Sequence, residues 1–113
     1  MSNAEDMATA RIAALNDHAR QTFTGCRVLI TQGIQALGED AVAAILTQVR
    51  RFDSFTEAND PYGEHDFGKI DWKGSAVFWK IDYYDLDLEM HSPDPGDSTV
   101  TARVLTVMLA DEY

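Results

Sequence analysis

The chain has a single cysteine, Cys26, so it cannot staple itself with an internal disulfide, and its redox setting is expected to be a reducing cytoplasm. It also lacks any apolar run near the roughly 20 residues of a membrane span. The basic and apolar regions of a signal peptide are missing from its start, which points the same way. Basic residues are scarce, 9 Lys and Arg against 19 Asp and Glu, and they do not cluster. Direct binding to DNA, RNA or anionic lipid is therefore not expected, because a polyanion needs a basic face. No phosphate loop, CxxC, HExxH or GxSxG is present, and the loop Ser92-Pro93-Asp94-Pro95-Gly96-Asp97 lacks the ligand spacing of a calcium-binding EF-hand. No cofactor and no metal is expected from motifs.

What is there is ordinary globular composition, 45% apolar and 25% charged over 113 residues, with a very uneven charge. Residues 53–97 hold 12 of the 19 acids and three lysines, a net of −9 out of −10. Residues 1–52 are neutral. Ser2-Asn3-Ala4 reads as a scar left by tag cleavage, so residues 1–4 are set aside and 5–113 are read as one α+β domain.

Periodicity predicts the elements. Ala8, Ile12, Leu15, Ala19 and Phe23 form one stripe of a helix over 6–23, stopped by Thr24-Gly25. Val28-Leu29-Ile30 reads as a short buried strand. Val42, Ile45, Leu46, Val49 and Phe52 mark a second helix over 39–52, with Glu39 and Asp40 in its first turn and Arg50 and Arg51 in its last, as its dipole favours. Residues 53–64 read as a loop. Phe67–Trp72 and Ala76–Tyr83 read as strands of a hairpin turning at Lys73-Gly74. Apolar residues sit at odd numbers through Val77, Trp79, Ile81 and Tyr83, then at even numbers through Tyr84, Leu86, Leu88 and Met90. Strand side chains alternate, so a bulge or bend is expected at Tyr83-Tyr84. The β-branched content of Val100–Leu109 predicts a strand, although Val100, Val104, Val107 and Met108 also fit a helical stripe. The fold class that follows is α+β, a small antiparallel sheet of three or four strands with two N-terminal helices packed on one face.

From about Ala14 to Tyr113 the chain resembles an uncharacterised bacterial family, DUF3768. The resemblance rests on Leu15-Asn16-Asp17, on Asn59-Asp60-Pro61-Tyr62-Gly63-Glu64-His65-Asp66-Phe67-Gly68, and on Phe78-Trp79-Lys80-Ile81-Asp82-Tyr83-Tyr84-Asp85. It continues in Ser92-Pro93-Asp94-Pro95 and in Arg103-Val104-Leu105-Thr106-Val107-Met108-Leu109-Ala110. It implies no activity, cofactor or site.

Three functional readings remain open. In the first, the protein is a small acidic, non-enzymatic interaction module that docks a basic protein partner. Its contact residues would be Asp60, Tyr62, Tyr84, Asp85, Asp87, Glu89 and Asp94, with charge setting rate and specificity and aromatics supplying affinity. In the second, Asp85, Asp87 and Glu89 stand about 6.8 Å apart on an extended strand and imitate a nucleic-acid backbone, inhibiting a nucleic-acid-binding enzyme. In the third, Glu64, His65, Asp66 and Asp82 form a metal-assisted or acid–base site, with His65 opposite Asp82 if the hairpin turn has two residues. The same four residues also read as a hydrogen-bonded loop cluster. Trp79 reads as core, Lys80 and Asp82 as an ion pair, and Cys26 as either a reactive or an inert buried thiol. A homodimer through a free strand edge is also possible.

Overall fold

A computed structural model describes residues 3–113. Met1 and Ser2, part of the segment read as a tag scar, lie outside the described residues. The elements run α1 (Asn3–Thr22), β1 (Arg27–Ile30), α2 (Gln32–Gln35), α3 (Glu39–Arg51), β2 (Phe67–Trp72), β3 (Ser75–Tyr84), β4 (Ala102–Leu109) and a short 3-10 helix (Ala110–Glu112). The strands form one four-stranded sheet in the order β1-β4-β3-β2. This is the α+β architecture expected, with one addition. Strands β2, β3 and β4 are antiparallel as read, but β1 joins β4 in parallel, Val28 beside Leu105 and Ile30 beside Val107. No local pattern in four residues could announce a partner so distant in the chain.

The hairpin closes through two residues in the left-handed region, Lys73 at φ 47° and Gly74 at φ 87°. Two positive φ values in sequence give the primed turn whose twist matches paired strands. Trp72 therefore faces Ser75, and the register carries Gly68 opposite Trp79 and Phe67 opposite Lys80.

Alternation along β3 divides the sheet into two faces. Val77, Trp79, Ile81 and Tyr83 point to the helical side and are buried with Leu105 and Val107 of β4 and Ile45 and Val49 of α3. Phe52 and Phe55, just beyond α3, meet the Trp79 ring edge-on at 5.5 and 6.1 Å between centroids. Helix α3 buries the stripe read from the sequence. Helix α1 differs, because its most buried positions are Ala13, Asn16, Ala19 and Arg20, a face rotated from the apolar stripe and carrying two polar residues.

Of the bulge or bend expected at Tyr83-Tyr84, the bulge does not form and the bend follows Tyr84. The β3–β4 ladder is unbroken from Val77 opposite Leu109 to Tyr84 opposite Ala102. The parity of the apolar residues changes because β3 ends at Tyr84. The chain then turns, with the Asp85 N–H donating to the Met90 carbonyl at 2.8 Å and Leu88 at φ 60°. Leu86, Leu88 and Met90 are exposed there and do not extend the core.

Gly68 lies under the Trp79 indole. A Cβ at that position would fall 2.6 Å from Trp79 Cε2 and closer still to Nε1, and the indole is fully buried with no room to retreat. Gly68→Ala is expected to destabilise the fold by about 1–3 kcal/mol through overpacking, although alanine ordinarily improves a strand. The urea midpoint measures this, and an unchanged or raised midpoint rejects it.

Candidate functional site

The densest polar chemistry lies between α1, the 53–66 loop and the ends of β3 and β4. Asn16 is fully buried and Arg20 is 1% exposed, four residues apart on one face of α1. Asn16 Nδ2 donates to the Glu64 carbonyl at 3.0 Å and to the Tyr83 hydroxyl oxygen at 2.7 Å. That hydroxyl donates onward to Glu64 Oε1 at 2.8 Å. On the other side, Arg103 Nε donates to Asn16 Oδ1 at 2.8 Å, and its Nη2 donates to the Pro95 carbonyl. Arg103 also lies over the Tyr83 ring at 5.3 Å. One buried amide thus joins three strand and loop segments that are remote in sequence.

Arg20 closes the helical side. Its Nη1 donates to the carbonyls of Val49 and Arg50 at 3.0 and 3.2 Å at the end of α3, where the Val49 carbonyl also accepts the Phe52 N–H at 3.3 Å. Its Nη2 donates to Asp17 at 3.1 Å, and its guanidinium lies over Trp79 at 5.2 Å and Phe55 at 5.6 Å. Asp17 in turn accepts from His65 Nδ1 at 2.9 Å. A carboxylate only accepts, so that nitrogen carries the hydrogen. The His65 ring stacks on Phe55 at 3.9 Å, and its Nε2 is 3.7 Å from Asp60. Asp60 itself is only 9% exposed and accepts the His65 backbone N–H.

Burial dominates the titration of this region. It pushes the Tyr83 hydroxyl well above its ordinary value, with the Glu64 carboxylate adding to the rise and the Asn16 bond opposing it. Burial likewise raises the Cys26 thiol, against the pull of Arg103, so Cys26 fits the inert reading. It lowers the Arg103 guanidinium. The Asp66 carboxyl is held above the usual range, first by burial and then by Glu64, with Asp60 and Asp82 adding repulsion and its own backbone N–H opposing.

The four residues proposed for acid–base or metal chemistry do not converge. Glu64 turns to Tyr83, His65 to Asp17, and Asp82 to Lys80 at 2.9 Å, the ion pair expected. The hairpin register does direct His65 toward the position opposite Asp82, but pairing stops at Asp66, whose carbonyl accepts from Ile81. His65 adopts φ 58° and leaves the strand, carrying its ring to α1. Among the described residues no three His, Cys, Asp or Glu side chains are placed to hold a metal ion together.

The proposed contact residues fall into two groups. Asp60 is buried and spent on the loop backbone, which corrects its reading as a docking residue. Tyr62 is 82% exposed, Asp87, Glu89 and Asp94 are exposed, and Tyr84 and Asp85 are half-buried. Asp85, Asp87 and Glu89 do not form the regular row of anions read from the sequence, because they belong to a turn in which Asp85 Oδ1 accepts the Glu89 N–H. Sequence reasoning missed Asn16, Asp17, Arg20 and Arg103. The strings Leu15-Asn16-Asp17 and Arg103-Val104, both part of the family resemblance, were the available signal.

Beyond the network, the face of the sheet opposite the helices carries an open groove of about 600 Å³, floored by Val104, Thr106 and Met108. Leu88 and Tyr113 stand at its margins. No helix among the described residues is long and apolar enough to cross a membrane.

A family model described as "Protein of unknown function (DUF3768)" matches residues 30–112. No curated protein and no solved structure matches the chain.

The raised Asp66 carboxyl has a measurable consequence. A carboxylate whose folded value lies above its unfolded one costs stability once ionised, so stability falls as pH rises from about 3.9 through the folded value. Asp66→Asn is expected to be more stable than wild type at pH 7, with the advantage vanishing below pH about 3.9. Thermal midpoints across pH test it, and a difference that does not change with pH rejects the assignment.

Proposed function

The chain belongs to the DUF3768 family, a membership that brings no activity with it, and we propose that it is an acidic, cytoplasmic protein-interaction module that docks a basic protein partner. The observation that carries this reading is the segment Asp85–Asp97. It holds five acids and no lysine or arginine, and Asp87, Glu89 and Asp94 are exposed beside exposed Leu86 and Met90. Among the described residues none of the five acids is in an ion pair, whereas Asp17, Asp60 and Asp82 are engaged by Arg20, His65 and Lys80. Charge concentrated on one projecting loop raises the rate at which a basic partner arrives, and the neighbouring apolar side chains supply contact area.

Two further facts favour docking over chemistry. Glu64 and His65 spend their polar atoms on the fold itself, and the thiol of Cys26 is half-buried with its pKa raised. Mimicry of a nucleic-acid backbone has less support, since the regular spacing it needs is replaced by a turn. The free cysteine supports a reducing compartment.

The triple variant Asp85→Asn, Asp87→Asn, Glu89→Gln tests the reading by pull-down from the native cell, followed by association kinetics with the captured basic protein. A fall in association rate of about tenfold at low salt, shrinking at high salt, is expected. Undiminished capture by the variant rejects this surface.

A further inference from the structure

We propose that the cavity between the end of α1 and residues 98–101 is a site for a small oxyanion, a phosphate or carboxylate group held by Arg103. Two guanidinium groups are buried in this fold, Arg20 at 1% and Arg103 at 4% exposure. Arg20 meets the Asp17 carboxylate at 3.1 Å. Arg103 is in no ion pair among the described residues: Nε and Nη2 donate to the neutral Asn16 amide and to the Pro95 carbonyl. Glu64 acts on it from beyond ion-pair distance, with its carboxylate already bonded to the Tyr83 hydroxyl. A guanidinium withdrawn from water calls for a counter-charge, because burial penalises an unpaired ion. The Nη1 of Arg103 donates to none of the described groups. Among the described residues the enclosed side-chain donors without a partner are Arg20 Nε and Trp79 Nε1, so Nη1 of Arg103 borders open space.

The cavity that Arg103 lines measures about 270 Å³, just below the roughly 300–1,000 Å³ of drug-sized pockets, which suits a small group. Its lining selects the charge of the occupant. Arg103 and His18 stand beside the hydroxyl residues Thr24, Ser98 and Thr101, and among the described residues no Asp or Glu lines it, in a chain of net charge −10. The Thr101 hydroxyl is spent on Ser92 and the Asp94 carbonyl, at 2.6 and 2.8 Å. That of Thr24 is shared with Thr22 and His18 Nε2, at 2.6 and 3.2 Å. Ser98 is exposed, and its hydroxyl has no partner among the described residues, so it remains free to donate beside Nη1. A guanidinium suits an oxyanion in particular, since its planar fork can meet two oxygens at once. The groups nearby that would repel an anion are already engaged. At the end of α1 the carbonyls of His18, Ala19 and Gln21 accept from the Thr22 hydroxyl, the Phe23 N–H and Arg50, at 2.6, 2.7 and 3.1 Å. Asp97 accepts the Thr99 hydroxyl and N–H at 2.6 and 2.9 Å, and Asp94 accepts the Gly96 N–H at 3.1 Å. The site uses none of Asp85, Asp87 and Glu89 and is independent of the docking reading.

Inorganic phosphate and acetate are titrated separately into the full chain, each against sodium chloride at matched ionic strength, and followed by amide-shift mapping. Saturable shifts at Thr24, Gly25, Ser98 and Thr101 are expected with at least one of the two, and not with chloride. Saturation by phosphate alone supports the site and identifies a phosphate group as its ligand; saturation by acetate alone supports it and identifies a carboxylate. The variant Ser98→Ala is expected to weaken binding about fivefold, the loss of one hydrogen bond. Arg103→Gln, which keeps an amide donor but removes the charge, is expected to abolish saturation. Circular dichroism checks that each variant is folded, and because Ser98 is exposed its variant decides the matter should Arg103→Gln fail to fold. Shifts that rise linearly with all three salts overturn the proposal. So does wild-type affinity in Ser98→Ala, or in folded Arg103→Gln.

Discussion

A pair of polar side chains on one helix, Asn16 and Arg20, holds this structure together. Both are buried, and both reach outward from α1 to polar groups of other elements. Arg20 satisfies the last carbonyls of α3, meets Asp17 and presses its planar face on Trp79. Arg50 returns the contact by donating to the Gln21 carbonyl at 3.1 Å. The Arg20 guanidinium has its charge met by Asp17 and its Nη donors met, while its buried Nε has no partner among the described residues. Removing one partner of a buried ion pair costs about 3–5 kcal/mol. Asn16 performs the corresponding role for the sheet, since its amide is shared by Arg103, Tyr83 and Glu64. The helix face that packs on the sheet is therefore specified by hydrogen bonds as much as by apolar area.

This arrangement sorts the chain's acids into two populations. Asp17, Asp60 and Glu64 each meet a donor, Asp60 and Glu64 within the loop that crosses from α3 to the sheet and Asp17 on α1, where it receives that loop's His65. Among the described residues the acids of Asp85–Asp97 form no ion pair, although Arg11 adds to the Thr99 hydrogen bonds that lower the Asp97 carboxyl, and Asp87, Glu89 and Asp94 are exposed. The docking reading depends on that second population alone. The same sorting explains why Glu64, His65 and Asp66 are neighbours in sequence without forming a reactive cluster: His65 turns to Asp17 of α1, while Glu64 and Asp66 bond different residues of β3, Tyr83 and Ile81.

Much of the architecture was legible before any coordinates. Helix α3 showed itself by a clean stripe and by charges matched to its dipole. The Lys73-Gly74 turn, the core position of Trp79 and the Lys80–Asp82 pair followed from alternation, and the β-branched content of β4 favoured a strand. The apolar face of α1 was read too literally, because an apolar stripe cannot reveal that asparagine and arginine occupy the buried face. The Tyr83-Tyr84 parity change was visible, yet a bulge and a strand end produce the same pattern. Only the turn geometry at Asp85–Met90 separates them.

The sequence by itself determined the two long helices, the place of the hairpin at Lys73-Gly74 and the location of the excess negative charge, since these depend on spacing within a few residues, whereas the hairpin register and the choice of strand over helix for β4 came from the fold. The tertiary structure decided the parallel partner of β1, the meeting of Asn16 with Arg103 and Tyr83, and the departure of His65 toward Asp17. It also decided that one face of the sheet stays open. Each of those is a contact across tens of residues, and local periodicity carries no record of which distant donor will satisfy a buried acceptor.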